Sequence, residues 1–124
     1  MTKNTSPLEK EEQINFINYC ELNNITVIHI ANEFLSQNYS NRFSYIKSMK
    51  KQGYRVGIPD LLILAKNKSQ THEVLFIEMK RQKGSKISDE QKEWIARLDN
   101  EGYCVGVAKG CDSAINILNQ YLEM

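Results

Sequence analysis

The segment 73–80, Glu-Val-Leu-Phe-Ile-Glu-Met-Lys, constrains this chain more than any other. Its β-branched and aromatic residues predict a strand. Alternation then puts Val74, Phe76, Glu78 and Lys80 on one face, and Leu75, Ile77 and Met79 on the other. A strand that is apolar on both faces belongs inside a sheet. This one nevertheless closes with two ionised groups on a single face, and burying either one unpaired costs several kcal/mol. Packing gives no reason for them, so they need partners. Asp60 supplies a candidate. It follows Pro59 at the mouth of a second apolar run, residues 61–65, whose unbroken hydrophobicity predicts burial on both sheet faces. The polar stretch 66–72 predicts a hairpin loop between the two strands. An antiparallel hairpin brings Asp60 and Glu78 to the same end of the sheet.

The remaining elements follow from local signals. Ser6-Pro7-Leu8-Glu9 has the pattern of a helix start, with Ser6 as cap and Glu9 completing a capping box. That helix runs to Leu22 and is expected to bury Ile14, Ile17 and Cys20 with help from Phe16. Residues 25–30 predict a strand and 31–41 a loop. A short helix over 42–52 carries Phe43, Ile46 and Met49, and Gly53 stops it. Ser88-Asp89-Glu90-Gln91 opens a helix with Trp94, Ile95 and Leu98 on one face, ended by Gly102. Residues 103–108 predict a buried strand, and Asp112 caps a last helix bearing Ala114, Ile115, Leu118 and Leu122. The fold class is α/β, in the order α-β-α-β-β-α-β-α, with helices packed on one sheet.

At 124 residues the chain has the size of one domain, expected over residues 6–124 with residues 1–5 disordered. No apolar run reaches the length of a membrane span, and the polar N-terminus lacks the apolar centre of a signal peptide. The expected location is the cytoplasm. Three cysteines without a Cys-x-x-Cys spacing argue against a disulfide framework or a cysteine-based zinc site. His29 and His72 lack a surrounding set of partner ligands and are expected to be structural. Trp94 and Cys104 are expected to pack as core residues, while Cys111 is expected in a loop.

Asp60 and Glu78 together make an oxygen-ligand site for a hard divalent cation. Mg²⁺ retains several waters, so two carboxylates and the main-chain carbonyl of Met79 suffice as its protein ligands. Such an ion polarises a phosphoryl group and lowers the pKa of a bound water. Lys80 is placed to orient that water or to stabilise the charge developing on phosphorus. The chemistry these residues point to is phosphodiester hydrolysis.

The pair Pro59-Asp60 followed by Glu78-Met79-Lys80 resembles the PD-(D/E)xK nuclease motif. Several further segments together resemble the VRR-NUC family of virus-type replication-repair nucleases. They are Gly57-Ile58-Pro59-Asp60-Leu61, Phe76-Ile77-Glu78-Met79-Lys80, the Ser88, Gln91 and Trp94 spacing, Leu98 with Gly102-Tyr103, and the ending at Tyr121-Leu122. The likeness covers the chain from Leu8 onward. It implies a restriction-endonuclease-like fold, with a mixed central sheet flanked by helices, and DNA cleavage dependent on Mg²⁺ or Mn²⁺. Stand-alone members of this size resemble phage enzymes that resolve Holliday junctions as homodimers. That points to a bacterial or phage-infected cell, with branched or four-way DNA as partner. By the same resemblance Asp60 and Glu78 are metal ligands, Lys80 is the base or phosphate partner, and Gln91 supports the site. A glutamate of the first helix completes it. Glu9 fits best, in Glu9-x-x-x-Gln13, with Glu11 and Glu12 as rivals. Where family members often carry Pro-Asn, this chain has Ala31-Asn32, which leaves the role of Glu33 open.

Plainer readings stand beside these. Glu9 and Gln91 both occupy capping-box positions. Glu78 and Lys80 form an ordinary pair if their strand lies at an edge, and Asp60 suits a turn. The overall balance of 16 basic to 15 acidic residues identifies no partner. Its distribution is more informative. Arg42, Lys47, Lys50, Lys51 and Arg55 fall in one stretch without acids, and Lys80, Arg81, Lys83 and Lys86 in another. Both flank the carboxylates in sequence, as backbone phosphate binding requires. Tyr39, Phe43, Tyr45 and Tyr54 interleave with the first stretch and suit stacking on unpaired bases. Solvated lysines on a helix face are the bland alternative. Three classes of function remain: a structure-selective endonuclease (junction, flap or nicking), a non-cleaving nucleic-acid-binding module, or a protein-interaction domain.

Overall fold

The computed structural model describes residues 7–30 and 42–124. Expectations that fall on residues 1–6 and 31–41, including Ser6, Ala31, Asn32, Glu33 and Tyr39, lie outside these. The elements appear in the predicted order. They are α1 (Glu9–Leu22), β1 (Thr26–His29), α2 (Arg42–Lys51), β2 (Leu61–Leu64), β3 (Val74–Lys80), α3 (Asp89–Asn100), β4 (Cys104–Lys109) and α4 (Cys111–Glu123). The strands form one sheet in the order β1-β2-β3-β4. β1, β2 and β3 pair antiparallel, while β3 and β4 pair parallel. The parallel pair needs a crossover, which α3 provides. The result is a mixed α/β sheet flanked by helices.

One sheet face carries the core. Leu61, Ile63, Leu75, Ile77, Met79 and Ala108 meet Phe16 and Cys20 from α1 and Ala114, Leu118 and Tyr121 from α4. α4 comes so close to β4 that a side chain on Gly106 would lie 2.9 Å from Ile117. The Tyr121 hydroxyl donates to the Ala65 carbonyl at 2.6 Å, fastening the end of α4 to the β2–β3 connection. Within that connection the Asn67 side chain, buried, accepts from the His72 amide and donates to Thr71. The sequence reading missed Asn67, whose only signal was an Asn in a polar turn.

Three packing expectations change. Ile14 is 47% exposed, whereas Glu12 is buried. The inward stripe of α1 is Glu12, Phe16 and Cys20, at strict four-residue spacing, so Ile14 falls on the other side. The run 61–65 is not buried on both faces: Leu61 and Ile63 are buried, but Leu64 is 44% exposed. α1 and α4 pack on the first face, and on the second α3 lies chiefly beside β4, reaching β3 at Glu78. Cys111 lies not in a loop but in the first turn of α4, half-buried against the core. The N-cap there is Gly110 rather than Asp112, and it brings no side-chain cap. Trp94 is half-buried and the Arg97 guanidinium sits over its ring at 5.1 Å. Among the described residues no helix is long and apolar enough to cross a membrane.

Candidate functional site

The β2–β3 register pairs Leu61 with Ile77. One step further sets Asp60 opposite Glu78, on the face away from the core. A non-core face is where a pair of carboxylates can sit, yet Glu78 is only 1% exposed. The loop before β2 and the start of α3 close over it. Gly57 makes this closure possible. Its φ is +88°, and a Cβ there would lie 2.6 Å from the backbone carbon of Glu90. Only glycine lets this loop pass directly against the first turn of α3.

That contact brings Gln91 to Glu78. Ser88 and Gln91 form a full capping box, with Gln91 Oε1 accepting from the Ser88 amide and Ser88 Oγ accepting from the Gln91 amide. The other end of the same amide, Nε2, donates to Glu78 Oε2 at 3.2 Å. Gln91 therefore caps α3 and reaches Glu78 at once, because a carboxamide has an acceptor and a donor at opposite ends. Glu9 resolves differently. The N-cap of α1 is Leu8, so Glu9 is the first helical residue and not the third of a capping box. Its carboxylate lies close enough to Glu78 to disfavour ionisation there.

Asp60 Oδ2 accepts from the Met79 amide at 3.0 Å. In a strand the carbonyl of a residue points to the same side as its amide. The Met79 carbonyl thus turns toward Asp60, whereas the next carbonyl, that of Lys80, turns the other way and accepts from the Gly110 amide. Lys80 is buried, with Nζ 3.8 Å from Glu78 Oε2. This is the outer limit of an ion pair and leaves the charge of Glu78 poorly compensated. Glu78 Oε1 is buried with no hydrogen-bond partner among the described residues. Burial, then the adjacent Asp60 carboxylate through its charge and through a hydrogen bond to the protonated Glu78, push the Glu78 carboxyl up from 4.5 to about 9, with Lys80 opposing the rise and Glu9 adding to it. An orphaned buried carboxylate oxygen beside a second carboxylate and a main-chain carbonyl is an arrangement that a divalent cation satisfies. The donors are all oxygen, which suits Mg²⁺ or Mn²⁺. Among the described residues no group of three His, Cys, Asp or Glu side chains is assembled for a metal. An ion here would rest on two carboxylates, the carbonyl and water, within the habit of Mg²⁺.

The other glutamates of α1 separate by position. Glu11 is exposed. Glu12 Oε2 accepts from the Cys111 amide at 3.0 Å and from Gln82 Nε2 at 3.2 Å. A side chain on Gly110 would overlap this carboxylate. Glu12 thus supplies from α1 the cap that α4 lacks, and the negative charge suits a helix N-terminus. Sequence reasoning missed this role, since its local clue was no more than the four-residue spacing to Phe16.

The basic residues divide. Lys83 and Lys86 are exposed on the loop after β3, next to Lys80. Arg81 is half-buried and donates from Nε to the Pro7 carbonyl at 3.2 Å. Arg42 opens α2, and Lys47, Lys50 and Lys51 are exposed along it. Arg55 donates to the carbonyls of Lys50 and Tyr54, closing the helix C-terminus. The cysteines are free, and burial pushes the Cys20 thiol up to about 11, consistent with an inert core group.

The VRR-NUC domain model matches residues 30–112, which includes Asp60, Glu78, Lys80 and Gln91. The chain belongs to the VRR-NUC family. A solved structure named a VRR_NUC domain protein is 30% identical, with a TM-score of 0.66 over 95% of this chain and 90% of the other. No curated protein sequence matches. The family makes this a nuclease-type domain, with DNA as its implied substrate.

Proposed function

We propose that this VRR-NUC domain is a divalent-metal-dependent DNA endonuclease and that it acts on branched DNA, four-way junctions first, as a homodimer. One observation carries the metal: the buried Oε1 of Glu78, which meets no donor among the described residues and lies against a second carboxylate, that of Asp60. Asp60, Glu78 and the Met79 carbonyl would hold Mg²⁺ or Mn²⁺. That ion would neutralise the two carboxylates, polarise a phosphodiester and activate a water. Lys80, buried and only 3.8 Å from Glu78, keeps its ammonium on the cleavage face, where it orients water or stabilises the phosphate charge. Gln91 holds the Glu78 carboxylate in place, and Glu9 supplies negative charge at its edge. Lys83, Lys86 and Arg81 extend positive charge from the site along the strand exit, and Lys47, Lys50, Lys51 and Arg55, with Arg42 next to them in sequence, add a second basic stretch for phosphates. Symmetric cutting of a junction requires two sites related by a twofold axis, which a homodimer provides.

Incubating the chain with labelled four-way junction, flap and linear duplex, in Mg²⁺, Mn²⁺ or EDTA, tests this reading. The expected result is metal-dependent cutting, paired on opposite junction strands, lowered on the order of 10²–10³-fold by Asp60→Ala, Glu78→Ala or Lys80→Ala. Preferential flap cleavage or nicking would replace the junction assignment. Tight binding without cutting would make it a binding module, and Asp60→Ala cutting like the native chain would overturn the site. Mn²⁺ binding followed by electron paramagnetic resonance, lost in Asp60→Asn, checks the metal separately from activity.

A further inference from the structure

α2 presents a surface that neither the core nor the carboxylate site uses. Among the described residues it gives nothing to the core cluster. Phe43 is 91% exposed in its first turn. Lys47 and Lys50 follow at four and seven residues, on the same helical face. With Ser44, Ile46 and Lys51 they line a shallow groove of about 590 Å³. No acid occurs in this helix, whose sequence is RFSYIKSMKK. Cations at a helix C-terminus answer the dipole, which accounts for Lys50 and Lys51. It does not account for Lys47, nor for a phenyl ring left in water with cations along its flank.

We propose that this face docks unpaired nucleotides of the DNA substrate, with a base stacked on Phe43 and adjoining phosphates held by Lys47 and Lys50. The inference rests on the DNA-cleavage reading above and names the feature of the substrate that the protein recognises. An exposed aromatic ring among cations matches a polyanion whose subunits carry flat π faces. A second copy of the helix would bring like charges together and is repelled. Stacking is indifferent to sequence, because every base has a π face. It distinguishes unpaired from paired nucleotides, since a base within a duplex offers no free face. Such bases occur at flaps and gaps, and at a four-way junction where pairs at the crossover open.

The test uses the full chain in EDTA, so that the DNA stays intact. The probes are a duplex with a short gap of unpaired thymidines and the same duplex fully paired, read by fluorescence anisotropy. Phe43→Ala is expected to weaken gapped DNA about tenfold and paired DNA less than twofold, and Phe43→Trp to restore the difference. Lys47→Ala with Lys50→Ala is expected to weaken both probes and to reduce the logarithmic salt slope by about two. Equal loss on both probes, or no loss in Phe43→Ala, overturns the proposal. So does a lowered melting temperature in Phe43→Ala, which would mean that the chain itself covers the ring, or a native dimer that Phe43→Ala makes monomeric with binding unchanged. Native protein that binds neither probe overturns this proposal, and native protein that also leaves junction, flap and duplex uncut in Mg²⁺ or Mn²⁺ overturns the nuclease reading as well. Native protein that cuts junctions without regard to Phe43 overturns this proposal alone.

Discussion

Among the described residues two glutamates are buried, and they are buried in opposite ways. Glu12 is 4% exposed, and one oxygen receives both a helix-starting amide and the Gln82 amide. Glu78 is 1% exposed, yet one oxygen meets no donor among the described residues, the Lys80 ammonium stands 3.8 Å from the other and the neighbour opposite is another carboxylate. Glu12 joins α1, α4 and the loop after β3, and its surroundings are complete without anything added. Glu78 is held by Gln91 and enclosed by the Gly57 loop, but its charge is left for something else to balance. A buried carboxylate that serves the fold is matched by donors already present. Glu78 is left mismatched, as the proposed metal-dependent function would require, with the balancing charge brought by the ion.

The largest expected effect tests this contrast directly. Glu12→Ala strips the acceptor from two donors and should cost about 2–3 kcal/mol in urea unfolding. Glu78→Gln should shift stability the other way in the metal-free protein at about pH 8, because folding there obliges the native carboxyl to take up a proton that the amide does not need. If both substitutions destabilise equally, the two carboxylates are of one kind and the contrast fails.

The pH dependence sharpens it. The folded value for Glu78, about 9, lies above the ordinary 4.5, so between them the folded metal-free chain binds more protons than the unfolded one. The contribution of Glu78 is therefore most favourable below 4.5 and is lost as pH rises through the folded value, at no more than about 1.4 kcal/mol per pH unit. Unfolding titrations at several pH values should show this decline in the native chain and a flatter profile in Glu78→Gln. Saturating Mg²⁺ should remove the decline from the native chain only. Parallel profiles for the two chains would contradict the raised value.

The smallest effect separates the two duties of Gln91. Gln91→Ala loses the capping box and should lower stability by about 1 kcal/mol. Gln91→Glu retains an acceptor for the Ser88 amide and most of that stability, but sets a third carboxylate against Glu78. Melting curves should distinguish the two variants while cleavage assays show both impaired. Full activity in Gln91→Glu would reduce Gln91 to a cap.

Much of this was legible along the chain. The order of elements and the pairing of Asp60 with Glu78 follow from strand periodicity and a single hairpin, which are local matters. The double role of Gln91 was half visible, since a capping box is written within four residues but its second partner lies on another strand. The unbroken apolar run at 61–65 misled, because hydrophobicity states what burial a strand tolerates and not how many helices arrive to cover it. Ile14 misled for a related reason: the facing side of α1 is set by what it meets, and it meets the N-terminus of α4.

The sequence by itself determined the element order and the residue types at the end of β3, because alternation along a strand assigns each side chain a face before anything packs. Only the tertiary structure decided among Glu9, Glu11 and Glu12. One turn of helix carries all three, and three such neighbours point in different directions. Glu9 lies toward Glu78, Glu11 toward water and Glu12 into the start of α4. The physical reason is that a carboxylate's role is set by the donors and charges around it, and those come from residues distant in sequence.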